Sequence, residues 1–143
     1  MLPKFVKTPV TLFRIQSNSK VKLREYFRQK SDNRPAFDFK LQSDGLVHPI
    51  KGDVFTFPNG MSLRPAGPSM YELLSNYRGN TLFLIPKDTP IPSQLILYLE
   101  HHDHYSLQTS VKCTEKELNN NLTTFISRMQ VITKQAYFEQ FPF

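Results

Sequence analysis

Between Leu46 and Pro68 the chain meets Pro49, Gly52, Pro58, Asn59-Gly60, Pro65 and Gly67-Pro68, so no long regular element fits there. Proline lacks an amide hydrogen and fixes φ, whereas glycine frees φ. Together they divide the backbone into short strands and ordered loops. Asn59-Gly60 is a tight-turn signal, and Met61-Ser62-Leu63 after it predicts a short strand that aims Ser62 away from its two apolar neighbours. Farther on, Pro86, Pro90 and Pro92 make a stiff connector between two apolar runs, Thr81 to Ile85 and Leu95 to Leu99. The first run is nearly continuous, which predicts a strand covered on both faces at the centre of a sheet. The second predicts another strand, while Leu95-Ile96-Leu97 taken alone also fits a helical turn.

The remaining elements follow from periodicity and caps. Thr11 to Gln16 predicts a first strand, with Arg14 on the face of Leu12 and with Phe13 and Ile15 on the other. Ser19 to Lys30 carries Val21, Leu23, Tyr26 and Phe27 among Lys20, Lys22, Arg24, Arg28 and Lys30, which predicts a short amphipathic helix that Asp32-Asn33-Arg34-Pro35 ends. Phe37, Phe39 and Leu41 alternate with Asp38 and Lys40 as in a half-buried strand running to a turn at Ser43-Asp44-Gly45. Ser69 and Glu72 form a capping-box pattern for a helix to about Tyr77, and Gly79 sits where a left-handed cap is wanted. His104 to Val111 alternates, with His104, Ser106, Gln108 and Ser110 on a polar face able to line a cleft. Thr114 and Glu117 predict a second capping box. The apolar stripe Leu118, Leu122, Phe125, Ile126, Met129 and Ile132 then carries a helix to roughly Gln135. The aromatic tail Tyr137 to Phe143 fits a returning strand or a clasp.

The length of 143 residues predicts one domain, 1–143, with room for one core. An apolar share of 39% and an aromatic share of 13% are those of a chain that folds. No apolar run approaches the ~18 residues of a membrane span, and Met1 to Thr11 holds Lys4, Lys7 and two prolines, so neither a signal peptide nor a membrane anchor is expected. Cys113 is the only cysteine, which excludes an intrachain disulfide and a four-cysteine zinc site and favours a reducing, cytoplasmic setting. A net charge of +6 would attract nucleic acid, an acidic protein or a small anion alike.

Three constellations could carry chemistry. Glu100-His101-His102-Asp103-His104 offers metal ligands, but an extended backbone would turn His101 and Asp103 away from His102 and His104, so no bound metal is expected. Ser62, His104 and Asp103 supply the letters of a nucleophile, base and acid without a supporting Gly-x-Ser-x-Gly motif. Cys113 beside Lys112 reads as a packed thiol. Walker, dinucleotide-binding glycine and EF-hand patterns are absent.

Five stretches taken in order carry a resemblance. They are Leu12-Phe13-Arg14, Asp44-Gly45-Leu46, Pro58-Asn59-Gly60-Met61-Ser62-Leu63-Arg64-Pro65, Ile85-Pro86 with Ile91-Pro92, and Asp103-His104-Tyr105-Ser106-Leu107-Gln108. With them the chain resembles the ADP-ribosyltransferase-like toxins exported through type VI secretion and their fungal relatives. The resemblance implies an α+β fold with an ADP-ribosyltransferase-like split β core, two facing sheets and flanking helices. It implies NAD as substrate, cleavage of the nicotinamide-ribose bond, and modification of an intracellular target or simple NAD hydrolysis. Carried across by position, Arg14, Ser62 and His104 would be catalytic, with Arg14 on the NAD phosphates or ribose and Ser62 on the nicotinamide ribose. Tyr71 or Tyr105 would stack on nicotinamide, and Gln108 would join the NAD-binding set. A small immunity or antitoxin protein would be the partner. The chain departs from the pattern in two ways: Met61-Ser62 stands where the toxins have Thr-Ser, and the late-strand region offers Glu100, His104 and Gln108 where other ADP-ribosyltransferases place a glutamate. A catalytically inactive fold acting as a basic nucleic-acid- or protein-binding module is the alternative.

Overall fold

The structure is a computed structural model and describes residues 1–141. Among the described residues short alternating runs become seven strands: β1 (Lys4–Phe5), β2 (Leu12–Arg14), β3 (Gly60–Leu63), β4 (Thr81–Ile85), β5 (Leu95–His101), β6 (His104–Thr109) and β7 (Gln130–Thr133). Four helices accompany them: α1 (Tyr26–Ser31), α2 (Pro68–Ser75), α3 (Glu115–Ser127) and α4 (Lys134–Gln140). The strands form two antiparallel sheets in the orders β1-β5-β6-β3 and β2-β4-β7. This is an α+β fold of the kind the resemblance implies. None of its described helices is long and apolar enough to cross a membrane.

The apolar run of β4 explains the architecture. Phe83 and Ile85 enter one core with Leu12, Met61, Leu63, Leu97 and Leu107 from both sheets and with Leu118, Leu122, Phe125 and Ile126 of α3. Leu82 enters a second core with Phe13, Ile132, Met70 and Leu74 of α2, and Tyr137 of α4. A strand buried on both faces has no use for polar alternation, and β4 is indeed the middle strand of its sheet. Val47 joins the main core through a backbone bridge to Cys113, whose thiol is buried 3.4 Å from Thr109 Oγ1.

Several local expectations change. Lys20 to Glu25 is extended, not helical, and only Tyr26–Ser31 coils. Val21 and Leu23 are buried beside exposed Lys22 and Arg24, a period of two, and their amides donate to Thr123 Oγ1 (2.9 Å) and Asn119 Oδ1 (3.1 Å) of α3. The Glu25 carboxylate caps α1, accepting from the amides of Phe27 and Arg28. Phe37 to Leu41 reduces to one bridge, Glu25 to Phe39.

The Ser69 capping box does not form, because the cap falls two residues earlier, at Gly67, with Pro68 inside the first turn of α2. Gly79 does not adopt a left-handed φ. Its demand is space, since a Cβ there would overlap the Tyr77 ring. The Thr114–Glu117 capping box is present, with amides and side chains bonded reciprocally at 2.9 and 3.1 Å. Its helix stops at Ser127, and the β-branched run Val131-Ile132-Thr133 pairs with β4 as β7. The tail from Tyr137 continues α4, and Phe141 packs its ring on Phe13 at 5.1 Å. Pro142 and Phe143, the rest of that expectation, lie outside the described residues.

Candidate functional site

β3 pairs with β6 so that Ser62 faces Ser106, Leu63 faces Tyr105 and Gly60 faces Gln108. Opposed residues of an antiparallel pair share a face, and the period of two places Ser62, His104, Ser106 and Gln108 on one side of the sheet. Met61, Leu63, Tyr105 and Leu107 lie on the other, within the main core. Asn59-Gly60 is not a hairpin turn. Gly60 opens β3, where a Cβ would overlap the Leu107 carbonyl, so glycine permits the close strand approach that fixes this register.

On the polar face, His104 Nε2 lies 2.9 Å from Ser62 Oγ in a hydrogen bond. His104 Nδ1 lies 2.9 Å from Glu100 Oε1, an ion-pair distance, although its alignment is not that of a hydrogen bond. The β5–β6 hairpin turns through His102, at φ 46, and Asp103. Asp103 does not reach His104, but accepts from Arg64 Nη1 at 3.1 Å. The Ser62, His104, Asp103 grouping is therefore corrected to Ser62, His104 and Glu100, with Asp103 engaged elsewhere. His102 sits in the turn, off the extended geometry that would pair it with His104. Among the described residues no three His, Cys, Asp or Glu side chains gather as a metal site.

Among the described residues a single bridge, Phe13 to Arg64, joins the two sheets, with reciprocal backbone bonds of 2.8 and 3.2 Å. Its parity carries the Ser62 face onto Phe13 of the second sheet, with Ile15 just beyond β2 beside the same cleft, and leaves Arg14 on the core face with Leu12. The Arg14 guanidinium sits at the seam, where Nη1 donates to the Ser62 carbonyl (3.2 Å) and Nε to Gln16 Oε1 (3.1 Å). Both acceptors are neutral. Burial lowers the Arg14 pKa from its ordinary value, with Asp38 opposing and Arg24 adding to the shift. A guanidinium stays charged under such conditions. Beside it opens a cleft of about 290 Å³ walled by Phe13, Ile15, Met70, Leu73 and Tyr77, with Arg14, Ser62 and Arg64 as its polar members.

Arg14, Ser62 and His104 are thus brought together, Arg14 through the Ser62 main chain and His104 through its hydroxyl. Gln108 shares the face of Ser62 and His104 but is buried, bonded to Ser106 Oγ (3.2 Å) and Asn59 Nδ2 (3.4 Å). Tyr105 is not brought to that face. It is a core ring against Phe5, and burial followed by the Asp103 charge pushes its hydroxyl pKa up. Tyr71 is outside the cleft lining and packs on Phe138 of α4 at 5.0 Å. The aromatic side chains that do line the cleft are Phe13 and Tyr77.

The family model described as Tse2 ADP-ribosyltransferase toxin matches residues 10–137, which span β2 through the first half of α4 and include every residue of the cleft. The chain belongs to the Tse2 ADP-ribosyltransferase toxin family. No curated protein matches the chain. For a Tse2-family chain, the reading from residues left two members of this site without a role. Arg64 was detectable, because it stands two residues after Ser62 and so inherits its face. Glu100 was visible only as a nearby carboxylate, since its approach to His104 depends on a hairpin register that alternation does not supply.

Proposed function

We propose that this Tse2-family chain is an NAD-dependent toxin that cleaves the nicotinamide-ribose bond and passes ADP-ribose to an intracellular acceptor or to water. The observation that supports the reading best is the Ser62–His104 hydrogen bond of 2.9 Å beside a cleft holding two arginines. NAD supplies a pyridinium leaving group on a ribose carbon, so the protein need only grip the ribose, orient it and stabilise developing positive charge. Ser62 Oγ, oriented by its bond to His104 Nε2, would hold a ribose hydroxyl. Arg14 and Arg64 suit the diphosphate, because planar guanidinium groups bond phosphate oxygens in pairs. Phe13, Ile15, Met70, Leu73 and Tyr77 offer an apolar wall to the nicotinamide ring.

The cleft volume is near the lower end of the ~300–1,000 Å³ of small-molecule sites. It fits the nicotinamide-ribose end, with the adenosine end outside. The chain would act as one domain in the cytoplasm of a target cell, and an immunity protein would work by covering this cleft. Expression of the chain should arrest growth, and Ser62→Ala, His104→Ala or Arg14→Ala should each relieve the arrest with the thermal midpoint kept within a few degrees. Purified protein incubated with labelled NAD and lysate separates transfer from hydrolysis. A folded wild type that neither consumes NAD nor labels any acceptor would rule the proposal out.

A further inference from the structure

Two buried polar atoms on the site face have no hydrogen-bond partner, His104 Nδ1 and Glu100 Oε2. They belong to side chains that approach each other to 2.9 Å, and the Glu100 side chain is only 3% exposed. Buried polar groups are almost always satisfied, and a carboxylate is costly to bury without a compensating group. The group nearest to hand is the imidazole. The backbone adds an independent observation. Leu99 pairs with Tyr105 while His101 pairs with His104, so Glu100 is the additional residue of a β-bulge. Bulges commonly re-aim side chains beside functional sites. Here the bulged residue is the one whose carboxylate lies against the site histidine.

We infer that Glu100 is a positioning residue that holds the His104 proton on Nδ1, leaving Nε2 to accept from the Ser62 hydroxyl. A neutral imidazole has one donor and one acceptor nitrogen, and a carboxylate beside Nδ1 assigns the donor to that side. The Ser62 hydroxyl then points its hydrogen at Nε2 and turns its lone pairs to the cleft. Loss of the carboxylate lets the proton move to Nε2, which reverses the Ser62 bond and makes His104 a donor where an acceptor is needed. The other titratable neighbours do not supply this control. The His101 ring is 5.3 Å away by centroid, and Asp103 is held by Arg64. The role at the reaction rests on the NAD reading; the tautomer does not.

Two measurements on the full chain test it. Nitrogen-15 NMR at about pH 8, above the ordinary histidine range, reads the His104 tautomer, with His104→Ala identifying its signals. The wild type should carry the proton on Nδ1. Glu100→Gln should shift much of the population to Nε2–H, and Glu100→Asp should restore part of the wild-type pattern. In the NAD assay, Glu100→Gln should lower kcat roughly 100-fold, the low end for a positioned acid-base group, with KM within about threefold. An Nε2-protonated His104 in the wild type, or the same tautomer in wild type and Glu100→Gln, overturns the inference. A wild type inert toward NAD overturns the proposed function instead, and the tautomer measurement still decides the role of Glu100.

Discussion

Ser62 reaches the cleft because strand parity opposes it to Met61 and Leu63, and the register that exploits this parity depends on Gly60. Gly60→Ala should therefore cost about 1–3 kcal/mol in a urea titration, the usual range for forcing extra atoms into a packed site, and should reduce toxicity through the same shift. Tyr98 adds an alkaline sensitivity. Burial, and then its 2.8 Å bond to Asp53, pushes the Tyr98 hydroxyl from 10.0 up to about 12. The unfolded chain loses this proton first, so the stabilising contribution is complete below pH 10 and disappears as pH rises to about 12. Comparing wild type with Tyr98→Phe across that window should show a shallower decline in the variant. Ser62 and His104 were legible in the sequence because each sits in an alternating run. Arg14 was legible only in part: its core-side face was visible, but its position at a seam needed the Phe13–Arg64 bridge. Tyr71 and Tyr105 show the limit, since an aromatic near a site can serve a core as readily as a ligand.

At the level of elements, α3 shows what local signals can specify. Its capping box and its stripe of Leu118, Leu122, Phe125 and Ile126 were readable, because both are set within a few turns of chain. Its effect on the extended segment at Val21 and Leu23 was not readable, since those backbone amides find their acceptors about a hundred residues away. The alternation of Val21, Leu23 and Glu25 was present, but Tyr26 and Phe27 extended the pattern into an apparent helix. Asn119→Ala would leave the Leu23 amide unsatisfied, and a loss of about 1–3 kcal/mol is expected by thermal or urea denaturation. β7 was hidden for the same reason. Met129 and Ile132 continue the α3 spacing, and only pairing with β4 overrides it.

At the scale of the molecule, the described residues form two apolar clusters separated by the β2-β4-β7 sheet. Leu122→Ala empties part of one at a cost of about 2–5 kcal/mol, and Tyr137→Ala empties part of the other at about 3–5 kcal/mol. With no shared packing partner, the two losses should add to within about 0.5 kcal/mol where the double variant still folds, as measured by urea denaturation. The central position of β4 was foreseeable from one continuous apolar run, and the α+β class from the family resemblance. The split into two sheets was implied by the resemblance; which strands join which sheet was not readable, because that depends on which strands meet. That split has a mechanical consequence. Phe13 and Arg64 act as the pin of a clamp, with the Ser62 carbonyl and the Arg14 guanidinium latched just beside it. A thick guest would have to break that latch before the jaws could part, whereas a flat ring can slide in with the latch shut.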